Sequence, residues 1–287
     1  MAFGTNIRTY FEGAWHDGNV PIMRAADHGT WLGTTVFDGA RYVDGIAPDL
    51  DLHCARVNRS AEALRIAPTV STQDMVALVW EGIGLYPKDT PLYVRPMYWS
   101  LESEYLGVLS ETGPTGFAIC LEEVPVPPAD ATTTLTTTQF HRPVLSDAVC
   151  NAKAGCLYPN NARMLAEARA KGFGNALVAD AMGNVAETAT ANVFMVRDGV
   201  VFTPVPNGTF LAGITRARHI ANLRTDGIEV VESVLTFDDF RAADEVFLSG
   251  NLTKVTPVTE FDGTPYQTGP IARRARALYW DWAHRPA

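Results

Sequence analysis

Three prolines fall within the eight residues Glu123-Val-Pro-Val-Pro-Pro-Ala-Asp130, and that run constrains the chain more than any other. Proline lacks a backbone donor and fixes its own φ, so the run can be neither a helix interior nor a central strand and reads as a stiff extended linker. It divides the 287 residues into an N-terminal part, 1–122, and a C-terminal part, 131–287, with 123–130 between them. Each part is long enough to bury its own core.

Ahead of the linker, TYFEGAW and VPIM read as strands of a meander that turns at His16-Asp17-Gly18-Asn19, with Gly33 and Gly39 punctuating the next stretch of chain. Over 49–66, Leu52, Val57, Ala61 and Leu64 fall at helical spacings, with Asp49 or Asp51 available as N-cap. Ser71-Thr72-Gln73-Asp74 opens a second helix over 72–83. PLYVRPMYW and GFAICLEEV read as strands, provided Pro96 sits where no ladder hydrogen bond is needed.

Beyond the linker, TTTLTTTQF is a β-branched strand and LYPNNARMLAEARAKG a helix ending at Gly172. Two hairpins come next, one about Met182-Gly183 and one about Arg197-Asp198-Gly199. A helix over 214–223, the strand EVVESVL, the short helix FDDFRAA, the strand EVFLSG and a helix over 271–283 complete the chain. Strands are mostly adjacent and helices interspersed without regular βαβ alternation, so the fold class is α+β. No GxGxxG follows a strand, which excludes a Rossmann reading.

Apolar residues make up 47% and charged residues 19%, the balance of a globular protein. A formal charge of −9 with no basic run argues against nucleic-acid binding. The first residues lack a signal-peptide pattern and no stretch reaches transmembrane length, so a cytoplasmic address with no membrane partner is expected. Cys54, Cys120, Cys150 and Cys156 form no CxxC pair and have no His at metal-ligand spacing; no metal is expected, and the four read as reduced, buried thiols.

The notable stretch for chemistry is the run from Asn151 to Asn192. Lys153 lies among small residues, NAKAG, where burial would lower its pKa and leave an amine nucleophilic enough for a Schiff base; taken alone, a loop lysine is more often a solvated charge. Glu187, in the strand VAETATANVF, is a carboxylate that needs a positive partner, and a protonated pyridine nitrogen is one candidate. LAGITR opens a helix whose first N–H groups, with Ile214 and Thr215, suit a phosphate, although most such starts are simple caps. Arg56, on the first helix among small residues, can supply the permanent positive charge a phosphate monoester needs, although a helix arginine is more often a solvated surface charge.

Together these residues resemble the class IV (fold type IV) pyridoxal-phosphate enzymes, which include branched-chain and D-amino acid aminotransferases, aminodeoxychorismate lyases and (R)-selective amine transaminases. The match runs through VFDGAR (36–41), His53-x-x-Arg56, YVRP (93–96), Lys153 with Tyr158 five residues later, GNVAETATANVF (183–194), GITR (213–216) and TPV (256–258). The resemblance implies a smaller N-terminal α/β domain, a larger C-terminal domain, and pyridoxal 5'-phosphate at their interface. It further implies that Lys153 carries the cofactor and shuttles the proton, that Tyr158 bonds its phenolic oxygen, and that Glu187 pairs with its ring nitrogen. Arg56, Ile214 and Thr215 match the phosphate cup.

On the substrate side the resemblance brings in Phe37, Tyr93 and Arg95, the last two suited to an α-carboxylate. Leu32 replaces a family tyrosine and Asp38 the glutamate of FEG, while the Gly-Thr-Ala loop reads Gly250-Asn251-Leu252; Asn251 remains a phosphate donor and Leu252 adds bulk. The expected activity is therefore amino transfer to a 2-keto acid from a branched-chain-like L-amino acid, or alternatively from an (R)-primary amine. A D-amino acid aminotransferase, a lyase and a noncatalytic binding protein are the lesser alternatives. Relatives of this kind are homodimers, and 101–108, with Tyr105, is the candidate loop lent to the partner.

Overall fold

The structure, a computed structural model, describes residues 4–101, 107–110 and 113–285. The chain forms two compact units: Met1–Val126 with Asn151–Cys156, and Pro127–Cys150 with Leu157–Ala287. The change at Val126 falls inside the proline-rich run, but the return of Asn151–Cys156 to the first unit departs from a single boundary. Those residues are fastened there by backbone pairing, with a bridge between Val36 and Ala154 and a 3.1 Å hydrogen bond from Phe37 N–H to the Lys153 carbonyl. Of the loop expected to reach a partner subunit, residues 102–106, including Tyr105, lie outside the described residues.

In the first unit, β1 (Thr5–Phe11), β2 (Ala14–Asp17), the single-turn α1 (His28–Trp31), β3 (Thr35–Phe37), β4 (Ala40–Tyr42), α2 (Leu50–Ala63), α3 (Thr72–Ile83), β5 (Leu92–Ser100) and β6 (Thr115–Glu123) follow in order. The sheet runs β2-β1-β6-β5-β3, with β4 also paired to β5. The first hairpin turns at Glu12-Gly13, not at His16–Asn19, and VPIM is not a strand. Both turn residues have positive φ, 50° and 83°, the geometry that matches the twist of the flanking strands, and Gly18 at 89° then leads the chain out of the sheet. Pro96 pairs with Ile119 on one side and on the other sits in the gap between β3 and β4, where its carbonyl accepts from Asp38 N–H.

Helix α2 buries Leu50, Cys54, Val57 and Ala61, a stripe at i, i+4, i+7 and i+11 that packs against α3 and β5. Leu52, expected on that face, is exposed, because it lies two residues and about 200° around the helix from Leu50. Asp49 occupies the N-cap at φ 56° without a side-chain cap bond, whereas Ser71 Oγ caps α3 by accepting from Asp74 N–H. Beside the apolar stripe of α2 runs a polar one, His53, Arg56 and Ser60, also buried. Cys54, Cys120 and Cys150 are buried, but Cys156 is exposed, and all four are free thiols.

The second unit contains β7 (Thr133–Thr137), α4 (Tyr158–Ala170), β8 (Asn175–Ala179), β9 (Val185–Thr188), β10 (Asn192–Arg197), β11 (Val200–Pro204), α5 (Ile214–Thr225), β12 (Val230–Ser233), α6 (Phe237–Arg241), β13 (Glu245–Gly250), β14 (Lys254–Phe261), β15 (Thr264–Pro265) and α7 (Pro270–Ala283). Its mixed sheet runs β12-β11-β10-β13-β14-β7-β8-β9, with β15 on β14. The β10–β11 turn is the expected one, Asp198 and Gly199 both at positive φ. Strand β14 has no counterpart in the sequence reading, and it contains Pro257, a residue disfavoured in a central strand. It is tolerated because Pro257 pairs with Phe247 of β13, while β7 joins the other edge only from Val258 onward. Among the described residues no helix is long and apolar enough to cross a membrane.

Candidate functional site

In the first unit the candidates gather around β3, β5 and the polar stripe of α2. Lys153 is half-buried, and its Nζ lies 4.9 Å from the centre of the Phe37 ring. Its backbone is held on both sides: the carbonyl accepts from Phe37 N–H, and the N–H donates to Ser60 Oγ at 3.1 Å. Full burial, expected from the small neighbours, is confined to Ala152 and Ala154.

Arg56 is a buried residue and not a solvated helix arginine. Its Nε donates to Asp38 Oδ2 at 2.6 Å and its Nη2 to Asp38 Oδ1 at 2.9 Å, while His53 Nδ1 lies 2.7 Å from the same Oδ1. Asp38, read from sequence as a change in the substrate pocket, is a fully buried carboxylate that anchors the guanidinium.

Tyr93 and Arg95 point away from the apolar core, since Leu92, Val94 and Tyr98 of β5 are the buried alternates. Arg95 stacks over the Tyr93 ring at 5.1 Å and pairs with the Glu122 carboxylate, so one of its guanidinium nitrogens is already committed. A second cation that sequence reasoning missed is directly opposite Tyr93: Arg41 of β4, buried, with Nη2 donating to the Val124 carbonyl at 2.7 Å. Arg41 Nη1 is buried and has no hydrogen-bond partner among the described residues, and burial pushes the guanidinium down to about 10, against a smaller opposing influence of Tyr93. Gly39 permits the close approach of Tyr93, whose hydroxyl would lie 2.0 Å from any Cβ there. Leu32 is 41% exposed. A cleft of about 340 Å³ in this unit, lined by Tyr10, Phe11, Val70, Trp99 and Phe117 among others, contains none of these residues.

The second unit holds the remaining candidates. Glu187 is buried on β9, and its partner is one the sequence did not suggest: Arg142 Nη2 lies 3.0 Å from Oε1. Arg142 is itself fixed by bonds to the Thr209 carbonyl and to Asn161 of α4, the helix that Tyr158 begins. Asn192 donates to Glu187 Oε2 at 3.2 Å and to the Leu211 carbonyl at 3.3 Å. A Cβ on Gly213 would sit 2.0 Å from Asn192 Oδ1, so glycine is required for the α5 start to approach the Glu187 carboxylate's partner this closely. Gly213 caps α5 without a side-chain bond, and Thr215 is buried in the first turn. Arg216 turns inward to Thr203, Pro204 and Glu232.

Asn251 and Leu252 follow β13, and Leu252 is 39% exposed. The loop is pinned behind by His219 of α5, whose Nε2 donates to the Lys254 carbonyl at 3.1 Å. Burial pushes His219 down to about 4. An unfolded chain therefore takes up a proton near pH 6.5 that the folded chain refuses until about pH 4, so stability falls as the pH drops through that window. The loss is expected to be about 3 kcal/mol in full, and urea midpoints at pH 7 and pH 4.5 should draw closer in His219→Gln than in the wild type. Cys150, flanking Lys153 in sequence, is not an activated nucleophile, since burial pushes its thiol up. Among the described residues no cluster of His, Cys, Asp and Glu could hold a metal ion.

Each unit carries groups suited to part of a phosphate-bearing aldehyde with a basic ring nitrogen: the first an amine at Lys153 and the buried guanidinium of Arg56, the second a helix start without a side-chain cap beside the buried Thr215 and the Glu187 carboxylate. The chain belongs to the amino-transferase class IV family, whose model matches residues 35–261. It is 28% identical over 291 residues, 96% of either chain, to a putative branched-chain-amino-acid aminotransferase of Methanocaldococcus jannaschii. The branched-chain-amino-acid aminotransferase of Escherichia coli K12 is 29% identical over 93% of this chain and 88% of its own. Among solved structures, an aminotransferase from Brucella abortus bound to PLP superposes with a TM-score of 0.96 at 55% identity, covering 98% of this chain and 100% of that one. A branched-chain aminotransferase from Thermoproteus uzoniensis with norvaline gives 0.87 at 26% identity, covering 96% and 94%. The protein is a PLP-dependent aminotransferase.

Proposed function

We propose that the enzyme moves the amino group of apolar L-amino acids of the branched-chain type to a 2-keto acid, in two half-reactions that share one site. The observation that carries this reading is Arg41 Nη1, a buried cationic donor that has no hydrogen-bond partner among the described residues and lies on the same sheet face as Tyr93 and Arg95. A donor carboxylate would satisfy it, whereas a simple amine would leave it unmet. The relatives named as branched-chain aminotransferases support the same donor class.

In this reading Lys153 Nζ carries the cofactor and then moves the proton at the substrate Cα. When bound, pyridoxal phosphate supplies an aldehyde for amines and a ring that draws electrons. Tyr158 donates to the ring oxygen. Glu187 meets the ring nitrogen, with Arg142 and Asn192 fixing the carboxylate. Arg56, the Ile214 and Thr215 N–H groups and Asn251 hold the phosphate, while Phe37, Tyr93, Arg95, Leu32 and Leu252 shape the substrate side. We also infer a homodimer, and, because the four free cysteines suit a reducing compartment, a cytoplasmic address.

A second reading, an (R)-selective amine transaminase, draws on the exposed apolar side chains of Leu32 and Leu252. Mixing PLP-loaded protein with L-leucine, D-alanine or (R)-1-phenylethylamine and following the pyridoxamine form separates the options. Rapid conversion is expected with L-leucine. Conversion only with the amine would establish the second reading, and only with D-alanine a D-amino acid enzyme.

A further inference from the structure

We propose that Lys254 is a positioning residue for the cofactor phosphate and acts through Asn251; this rests on the reading that Asn251 is a phosphate donor. Lys254 is 1% exposed, opens β14 in the left-handed region at φ 64°, and sends Nζ back along its own loop to donate to Asn251 Oδ1. Nζ also lies 5.0 Å from the centre of the Tyr279 ring of α7, a face that favours a cation. A bulky residue with positive φ needs surrounding structure to hold it. Here the His219 Nε2–H bond to the Lys254 carbonyl supplies that hold.

The consequence concerns which end of the Asn251 amide meets an anion. A side-chain amide has an acceptor end and a donor end, and the wrong end would set oxygen against oxygen. A lysine ammonium can only donate, so with Oδ1 turned to Lys254 the Nδ2 donors are directed away from it. His219 and Thr215 are four residues apart on α5 and both buried, so they share a helix face. The helix that offers N–H groups at its start thus also clamps the loop carrying Asn251.

The test compares PLP with pyridoxal, which lacks the phosphate, as ligands of the refolded or reconstituted apoenzyme in phosphate-free buffer. Lys254→Met is expected to weaken PLP about 10-fold or more while changing pyridoxal by less than about 3-fold. In an Asn251→Ala background the same substitution should add little. Asn251→Asp, which folds with a carboxylate facing Lys254, should also weaken PLP selectively. Equal losses for both ligands, or equal losses in both backgrounds, would show Lys254 to be structural only. PLP affinity unchanged by Lys254→Met but weakened by Asn251→Ala overturns the proposal alone; PLP affinity unchanged by Asn251→Ala and Asn251→Asp overturns its premise as well.

Discussion

Replacing Lys153 by alanine is expected to lower turnover by about 10⁴-fold or more, because one amine both carries the cofactor and moves the substrate proton. Its surroundings specify where that amine stands. Phe37 N–H and Ser60 Oγ grip the two sides of its backbone, so the base of the side chain cannot drift, and the Phe37 ring lies under Nζ. Neighbouring lysines cannot substitute, since Lys171 pairs with Glu167 on the exposed face of α4 and Lys254 is committed to Asn251. Borohydride treatment followed by mass spectrometry is the direct check. The wild type should retain the cofactor mass covalently and the alanine variant should not, although it should still bind PLP reversibly. Sustained multiple turnovers by the variant at a rate near wild type would remove Lys153 from its proposed role.

How much of the fold was legible in the sequence depends on the range over which each signal acts. The β10–β11 hairpin needs only Asp198-Gly199, and α3 needs only Ser71 and Asp74, so both are local and both are present. The first hairpin was misplaced because Glu12-Gly13 lies inside an apolar run that reads as one strand. Strand β14 was not legible for a different reason: whether Pro257 is tolerated depends on where β7, more than a hundred residues away in sequence, joins the strand's other edge.

The site divides in the same way. Lys153, Glu187 and the α5 start stand in recognisable local contexts. Arg142, Arg41 and Lys254 do not, because each is defined by what it meets in space: a carboxylate on β9, a strand neighbour on β5, an amide three residues back across a tight loop. The polar stripe of α2 is an intermediate case. His53, Arg56 and Ser60 share a face by helical spacing alone, but that this face is buried becomes evident only with Asp38 beneath it.

Asp38→Asn is expected to cost about 3–5 kcal/mol of stability at pH 7, the range for removing one partner of a buried ion pair. The amide keeps the shape of the side chain but cancels the charge that Arg56 and His53 were folded against, and it turns one donor end toward donors. In the wild type, burial pushes the Asp38 carboxyl up, while the Arg56 charge and hydrogen bonds, followed by His53, pull it down and prevail, holding it well below the usual carboxylate range. The folded carboxyl is thus the stronger acid, so its stabilisation is complete above the unfolded value of about 4 and is lost as the pH falls further. That window lies below the one set by His219, and acid should weaken the protein in two stages, of which the Asn variant lacks only the lower. Urea titrations from pH 7 to pH 3 read the upper stage and the onset of the lower one. A loss below about 1 kcal/mol at pH 7, or a lower stage that survives in the variant, would mean that Arg56 does not depend on this carboxylate.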